Sequence, residues 1–188
     1  NVIEKIRSTG TVLISCVNGL SINRIEEKYS QIKIIRLLPN INWQISQGVS
    51  LFDHNKLLTK DDLAEFTKIL EPITMLSKVS EEGEFDTIGT LLTCSPALVA
   101  ETVSQIWKSF EVKSELHKNL LYNALLGSLS YLIQSKKVPE VVVSEVANKG
   151  GLTDVGVSAI KEFLPESLKL IRERLDLKVQ QRKSGFYP

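Results

Sequence analysis

Residue 80 divides the chain into two kinds of apolar patterning. Before it, apolar residues come in short β-branched runs bounded by turn residues: TVLISCV (11–17), IKIIRLLP (32–39), GVSLFDH (48–54) and ITMLSKVS (73–80). After it, apolar residues recur at helical spacing and strand signals nearly vanish. Such a chain can build a small α/β sheet followed by an all-helical part. With 188 residues and 43% hydrophobic content, there is enough apolar material for a core in each. The expected boundaries are 1–80 for the α/β domain and 81–188 for the helical domain.

Within the first part, SINRIEEKY (21–29) can form a short helix between the first two runs, which predicts a strand, helix, strand unit with parallel strands. The connection to the third run is too short for a helical crossover, so that strand is expected to lie antiparallel. NVIEKIRSTG (1–10) reads as the last turns of a helix closed by Gly10. Thr59 precedes KDDLAEFTKIL with Asp62 at the third helical position, a variant of the capping box, and Leu63, Phe66 and Leu70 share one face. Pro72 marks the end of that helix.

In the second part, Ser95-Pro96 reads as a cap and first helical residue, with Val99, Val103, Ile106 and Phe110 inward. A further helix is expected from Ser114 to Gln134. Its Leu116, Leu120, Ala124, Leu125, Leu129, Leu132 and Ile133 cover more than one stripe, which predicts burial on several sides. Ala124, Gly127 and Ser128 form a small-residue patch that lets another helix approach, and a second copy of the chain is one candidate. The final helix carries Leu164, Leu168, Ile171, Leu175 and Val179 at helical spacing, with RER and QQRK on its wet side. An intramolecular core and an oligomer seam explain that stripe equally well.

Charge and cysteine usage narrow the function classes. Lys and Arg number 23 against 22 Asp and Glu, for a net charge of +1, and no long run of like charge suggests a nucleic-acid partner. No apolar run approaches the roughly 18 residues of a membrane span, and no signal-peptide pattern opens the chain. Cys16 and Cys94 stand far apart, outside any metal-ligand spacing, and are expected to be buried thiols in a reducing, cytoplasmic setting. His54 and His117 lack partners at catalytic spacing, so no catalytic side chain and no metal ligand is assigned.

SEVANKGGLTDVG (144–156) holds two adjacent glycines before a helix expected to begin near Asp154. The first N–H groups of a helix have no intrahelical partner and lie at its partly positive end, and glycines there let an anion approach the backbone. Gly150, Gly151 and Thr153 therefore read as a cradle for a small carboxylate, with Asn148 and Lys149 beside it. The alternative is a plain glycine turn capped by Thr153. CVN (16–18) and PN (39–40) close predicted parallel strands, where open α/β sheets bind ligands. Asn18 and Asn40 are also common turn residues.

The order and wording of these pieces resemble the pyrroline-5-carboxylate reductase family. Pro139, Val142, Val146, Ala147, Gly150, Gly151, Thr153, Gly156 and Val157 fall at the spacing of that family's signature. IRLLPN (35–40) followed by Gly48 is similar to its Arg-x-Met-Pro-Asn segment. SCVNGLSI (15–22) is similar to Ser-x-Ala-Ala-Gly-Val-Ser-Ile, and LLTCSPAL (91–98) stands where the family has Ser-Gly-Ser-Gly-Pro-Ala-Phe. The resemblance implies a Rossmann-like half-domain followed by an all-helical dimerisation domain, a homodimer or higher oligomer, and hydride transfer from NADP or NAD cofactor to a cyclic imine carboxylate, giving proline. It implies that Cys16, Val17, Asn18, Pro39 and Asn40 face the cofactor. It also implies that Asn148, Lys149, Gly150, Gly151 and Thr153 hold the substrate carboxylate.

Three departures surround that pocket: Ala147-Asn148-Lys149 replaces Ser-Ser-Pro, Thr93-Cys94-Ser95 replaces Gly-Ser-Gly, and Lys136 stands where an acid is common. The pattern is closer to a late-competence offshoot than to a housekeeping enzyme, and a non-catalytic dimeric relative is the alternative. The family's Gly-x-Gly-x-x-Gly turn, which holds the pyrophosphate, has no counterpart in the sequence. The expectation is a fragment of a longer protein, lacking roughly eighty residues or about a βαβαβ half-domain, and lacking tight dinucleotide binding by itself.

Overall fold

The computed structural model describes residues 6, 7, 9–79 and 81–185. In chain order the elements are β1 (Val12–Ser15), α1 (Ile22–Lys28), β2 (Lys33–Leu38), a 3-10 turn (Ile41–Ile45), β3 (Gly48–His54), α2 (Lys60–Leu70), β4 (Thr74–Lys78), α3 (Glu82–Ser109), α4 (Glu115–Ser135), α5 (Pro139–Val146) and α6 (Leu152–Gly185). The sheet order is β1-β2-β3-β4. β1 and β2 run parallel with Ser15 opposite Arg36, β2 and β3 run antiparallel, and β3 and β4 run parallel. The parallel unit and the antiparallel third strand follow the sequence expectation. Most of the helix expected over 1–10 lies outside the described residues.

Alternation along the strands divides the core between two faces of the sheet. Ile35, Leu37 and Phe52 pack with Phe66 and Leu70 of α2. On the opposite face Ile34 packs with Ile25 of α1, and Leu38 and Leu51 pack with Phe85 of α3. β2 is buried nearly throughout. β1 lies at the edge of the sheet and leaves Ile14 half exposed, so the expected burial on both faces holds for β2 and not for β1.

Thr59 caps α2 in a reciprocal box with Asp62, as its spacing predicts. Asp62 also accepts from Lys33 at the start of β2, 2.8 Å away. The hydrogen bond from Lys33, then those from the Thr59 hydroxyl and backbone N–H, hold the Asp62 carboxyl at about 2, below its ordinary 3.8, with partial desolvation opposing them. A carboxyl with a lowered folded pKa stabilises the fold above its unfolded value and loses that contribution as pH falls through its folded value. The melting temperature is therefore expected to drop between pH 4 and pH 2, and Asp62→Asn should flatten part of that drop in a thermal melt series; an unchanged slope contradicts the assignment.

The chain forms two compact units. Residues up to Val99, together with those from Arg174, make the first, and Ala100–Glu173 make the second. Two expectations about the helices change. Ser95-Pro96 does not start a helix: α3 runs through it, with Pro96 inside. Pro96 lacks an N–H for the carbonyl of Leu92, four residues earlier, and that carbonyl instead accepts from Ser95 Oγ at 2.9 Å and from Asn40 Nδ2 at 3.4 Å. Likewise, the helix expected near Asp154 and the final helix are one continuous α6.

In the second unit, α4 begins just after its N-cap Ser114 and closes at Lys136 in the left-handed conformation. Trp107 and Tyr122 meet edge to face at 5.4 Å. α4 buries none of its residues within one chain, and Ile133 is 76% exposed. The expected burial of this helix on several sides is thus absent from the single chain, because its neighbours in the unit cover too little of its surface.

Candidate functional site

The parallel pairing of β1 and β2 brings their carboxyl ends to one edge of the sheet, and with them the two segments expected to face a ligand, Cys16–Val17–Asn18 and Pro39–Asn40. α3 lies against this edge. A Cβ at Gly89 would sit 2.5 Å from Leu38 Cδ1, so helix and strand meet more closely there than a larger residue allows. Asn18 donates through Nδ2 to Thr90 Oγ1 at 3.1 Å, and Asn40 donates to the Leu92 carbonyl that Pro96 leaves open. Asn40 Oδ1 is occupied as well, accepting from Asn42 N at 3.2 Å.

Asn18 Oδ1 is different. It is buried and has no hydrogen-bond donor among the described residues. A buried acceptor of this kind costs free energy until a ligand or water N–H or O–H reaches it. The family's wording has alanine at this place, so the acceptor is a property of this chain's own sequence.

The two cysteines correct the expectation of buried thiols: Cys16 is exposed and Cys94 half-buried. Cys16 follows β1, an edge strand of the described sheet. Desolvation nevertheless pushes its thiol pKa up, so it is no ready thiolate nucleophile. Cys16 and Pro39 also line one end of a cavity of about 440 Å³ on the α2 side of β1 and β2, whose walls include Ile14, Leu37, Trp43 and Ile69. The cavity is apolar, with Asp62 and Glu65 among its lining residues.

The glycine turn belongs to the second unit. Gly150 has φ +75, a conformation that glycine adopts without strain. Its N–H donates to Asp154 Oδ2 at 2.9 Å, and the N–H of Gly151 donates to the Asn148 carbonyl at 2.8 Å. Two of the three amides expected to await an anion are therefore engaged by the chain itself. A Cβ on Gly151 would lie 3.0 Å from the Asn148 oxygen, so the second glycine makes room for the turn's own carbonyl. Val155 N–H returns to the Gly151 carbonyl at 3.1 Å, which puts Gly151 at the cap and Thr153 inside the first turn of α6. Asn148, Lys149, Gly150 and Thr153 are all exposed. Asp154 is a participant that the glycine pattern does not single out, although an acid three residues after a helix cap is a recognisable capping signal.

Gln180, Gln181 and Arg182 lie on the wet side of the last helix as expected, and Lys183 is the exception. Lys183 forms an ion pair with Asp86, and Val179 beside it is buried at 7% exposure. Asp86 also pairs with Arg36 at 3.1 Å; Arg36 is 1% exposed and lies 4.0 Å over the Phe85 ring. A basic residue inside an apolar strand run gives no sign of its partner in the sequence.

The first unit is thus a mixed α/β sheet with helices on both faces, with polar side chains at the carboxyl edge of a parallel strand pair, the edge where open α/β sheets bind ligands. Comparison with known proteins finds curated relatives and solved structures of similar sequence and fold. Pyrroline-5-carboxylate reductase 2 of Bacillus subtilis is 26% identical over 80% of this chain, and pyrroline-5-carboxylate reductase of Aquifex aeolicus is 24% identical over 86%. The chain spans 55% and 62% of the lengths of these two relatives. The solved structure of Plasmodium falciparum pyrroline carboxylate reductase with NADP bound matches 97% of this chain and 75% of its own with a TM-score of 0.83 at 23% identity. The Streptococcus pyogenes 1-pyrroline-5-carboxylate reductase structure matches with the same TM-score at 20% identity, over 97% of this chain and 72% of its own. No protein-family model matches the chain. The chain is similar in sequence to these pyrroline-5-carboxylate reductases and shares the fold of the solved structures. Among its described residues, no helix is long and apolar enough to cross a membrane.

Proposed function

We propose that this chain is part of a homodimeric NAD(P)H-dependent reductase acting on a small cyclic imine carboxylate, with pyrroline-5-carboxylate as substrate and proline as product. The observation that carries the reading is the carboxyl edge of β1 and β2, where two asparagines are tied to α3 and one of them keeps a buried acceptor without a donor. An orphan amide oxygen fits a group bearing N–H donors, such as the carboxamide of a nicotinamide. Cys16, Val17, Asn18, Pro39 and Asn40 are the residues that would hold that end of the cofactor. When bound, the dinucleotide supplies the hydride, and the protein contributes orientation and electrostatics.

The substrate carboxylate is assigned to the start of α6, where Thr153 and the exposed first turn remain open to an anion and Lys149 adds positive charge. Asn148, Gly150 and Gly151 shape the turn beneath it. A second copy of the chain is supported by the exposed apolar residues of α4, a surface larger than isolated apolar side chains would make.

The test is a reductase assay on the longest polypeptide its reading frame encodes, with pyrroline-5-carboxylate and each reduced dinucleotide in turn. Consumption of reduced cofactor that depends on the imine is expected, and Thr153→Val should raise KM for the imine. No turnover with either dinucleotide rejects the reductase. One observation favours a second reading, a non-catalytic dimeric relative: the Gly150 N–H is filled by the chain's own Asp154 carboxylate. That reading expects ligand binding without turnover.

A further inference from the structure

The basic end of α6 touches three parts of the first unit at once. Lys183 Nζ pairs with Asp86 Oδ2 on α3, while Asp86 Oδ1 accepts from buried Arg36. The backbone carbonyl of Lys183 accepts from Arg24 Nη1 of α1, and carbonyls in the last turn of a helix have no intrahelical donor and carry partial negative charge. Residues 182 and 183 run close to the turn after β1: a Cβ on buried Gly19, at φ +87, would fall 3.3 Å from Arg182 Cβ and 3.7 Å from Lys183 Cγ, while Arg182 itself is exposed. On α3, Asp86 and Thr90 are one helical turn apart and share a face. The ion pair to Lys183 and the hydrogen bond from Asn18 therefore sit on adjacent rungs of the same helix.

We propose that Arg182 and Lys183 form a clamp that holds the Asn18–Gly19 turn against α3, making Lys183 a positioning residue for the ligand-facing end of β1. The clamp acts through others: Lys183 fixes Asp86, the 182–183 segment abuts Gly19, and Asn18 is left with its Nδ2 on Thr90 and its Oδ1 in one place. The ligand-facing role rests on the reductase reading; the clamp itself does not.

The experiment has two arms, each comparing wild type, Lys183→Met and Lys183→Arg. In the 188-residue chain, amide hydrogen exchange at Leu20, whose N–H donates to the Val17 carbonyl across the turn, reports whether the turn is held. Lys183→Met should speed that exchange roughly tenfold, the loss of one charge-assisted contact, and Lys183→Arg should restore it. In the longest polypeptide of the reading frame, Lys183→Met should raise KM for the reduced dinucleotide by roughly tenfold while kcat stays within about twofold, again with rescue by arginine. Unchanged exchange in Lys183→Met overturns the clamp. Faster exchange with an unchanged KM overturns the positioning role. A wild-type polypeptide without turnover overturns the reductase reading and leaves the exchange arm to decide the clamp.

Discussion

Gly127→Leu is expected to weaken self-association of the protein while leaving the single chain as stable as before, or more so. Gly127 lies within α4, and an added Cβ there meets no atom within 4 Å, so nothing in its own chain opposes a side chain. Replacing an exposed helical glycine with leucine gains about 1 kcal/mol of helix propensity. Any loss must then come from a neighbour the single chain does not contain. Leu116, Leu120, Leu126 and Leu129 on the same helix are more than half exposed, a surface that a second copy would cover. Overpacking a small-residue contact costs about 1–3 kcal/mol, so dimer affinity should fall roughly 5- to 150-fold. Sedimentation equilibrium across concentration, read beside the melting temperature, separates the two effects. A wild-type protein that stays monomeric at high micromolar concentration, or a variant that dimerises as tightly as wild type, defeats the proposed homodimer.

Asp86→Ala should cost about 3–5 kcal/mol of unfolding free energy, the range found when one partner of a buried ion pair is removed. Arg36 is nearly inaccessible, and Asp86 receives both it and Lys183. Water cannot easily replace the carboxylate beside a guanidinium packed against the Phe85 ring. Lys183 is in a different position, since its partly exposed ammonium can turn outward to solvent. Replacing both buried charges, Arg36→Met with Asp86→Leu, should recover most of the loss in urea unfolding, because the desolvation cost of the pair disappears with it. A loss under about 1 kcal/mol in the single variant would mean that this carboxylate is not what keeps Arg36 inside.

What the sequence by itself determined are the features whose causes lie within a few residues. The strand, helix, strand unit, the antiparallel third strand, the Thr59–Asp62 cap and the start of α6 beside its glycines all follow from periodicity, connection length and capping chemistry. The strand-end asparagines were legible for the same reason, since parallel strands must deliver their carboxyl ends to one edge. The tertiary structure decided what each of these groups is free to do. Pro96 stays inside α3 because Asn40, distant in sequence, helps occupy the carbonyl it leaves open. Lys183 turns partly away from solvent because Asp86 waits at the packed face of another helix, and Arg36 can enter an apolar strand for the same reason. Gly150 and Gly151 look available in the sequence and are engaged in the fold, while Asn18 looks like a turn residue and keeps an unmet acceptor. Local pattern sets much of the course of a helix or strand, but whether Pro96 can stay inside one and which partner a polar group takes depend on which segments the fold brings within hydrogen-bonding distance, and that distance is absent from the chain's linear order.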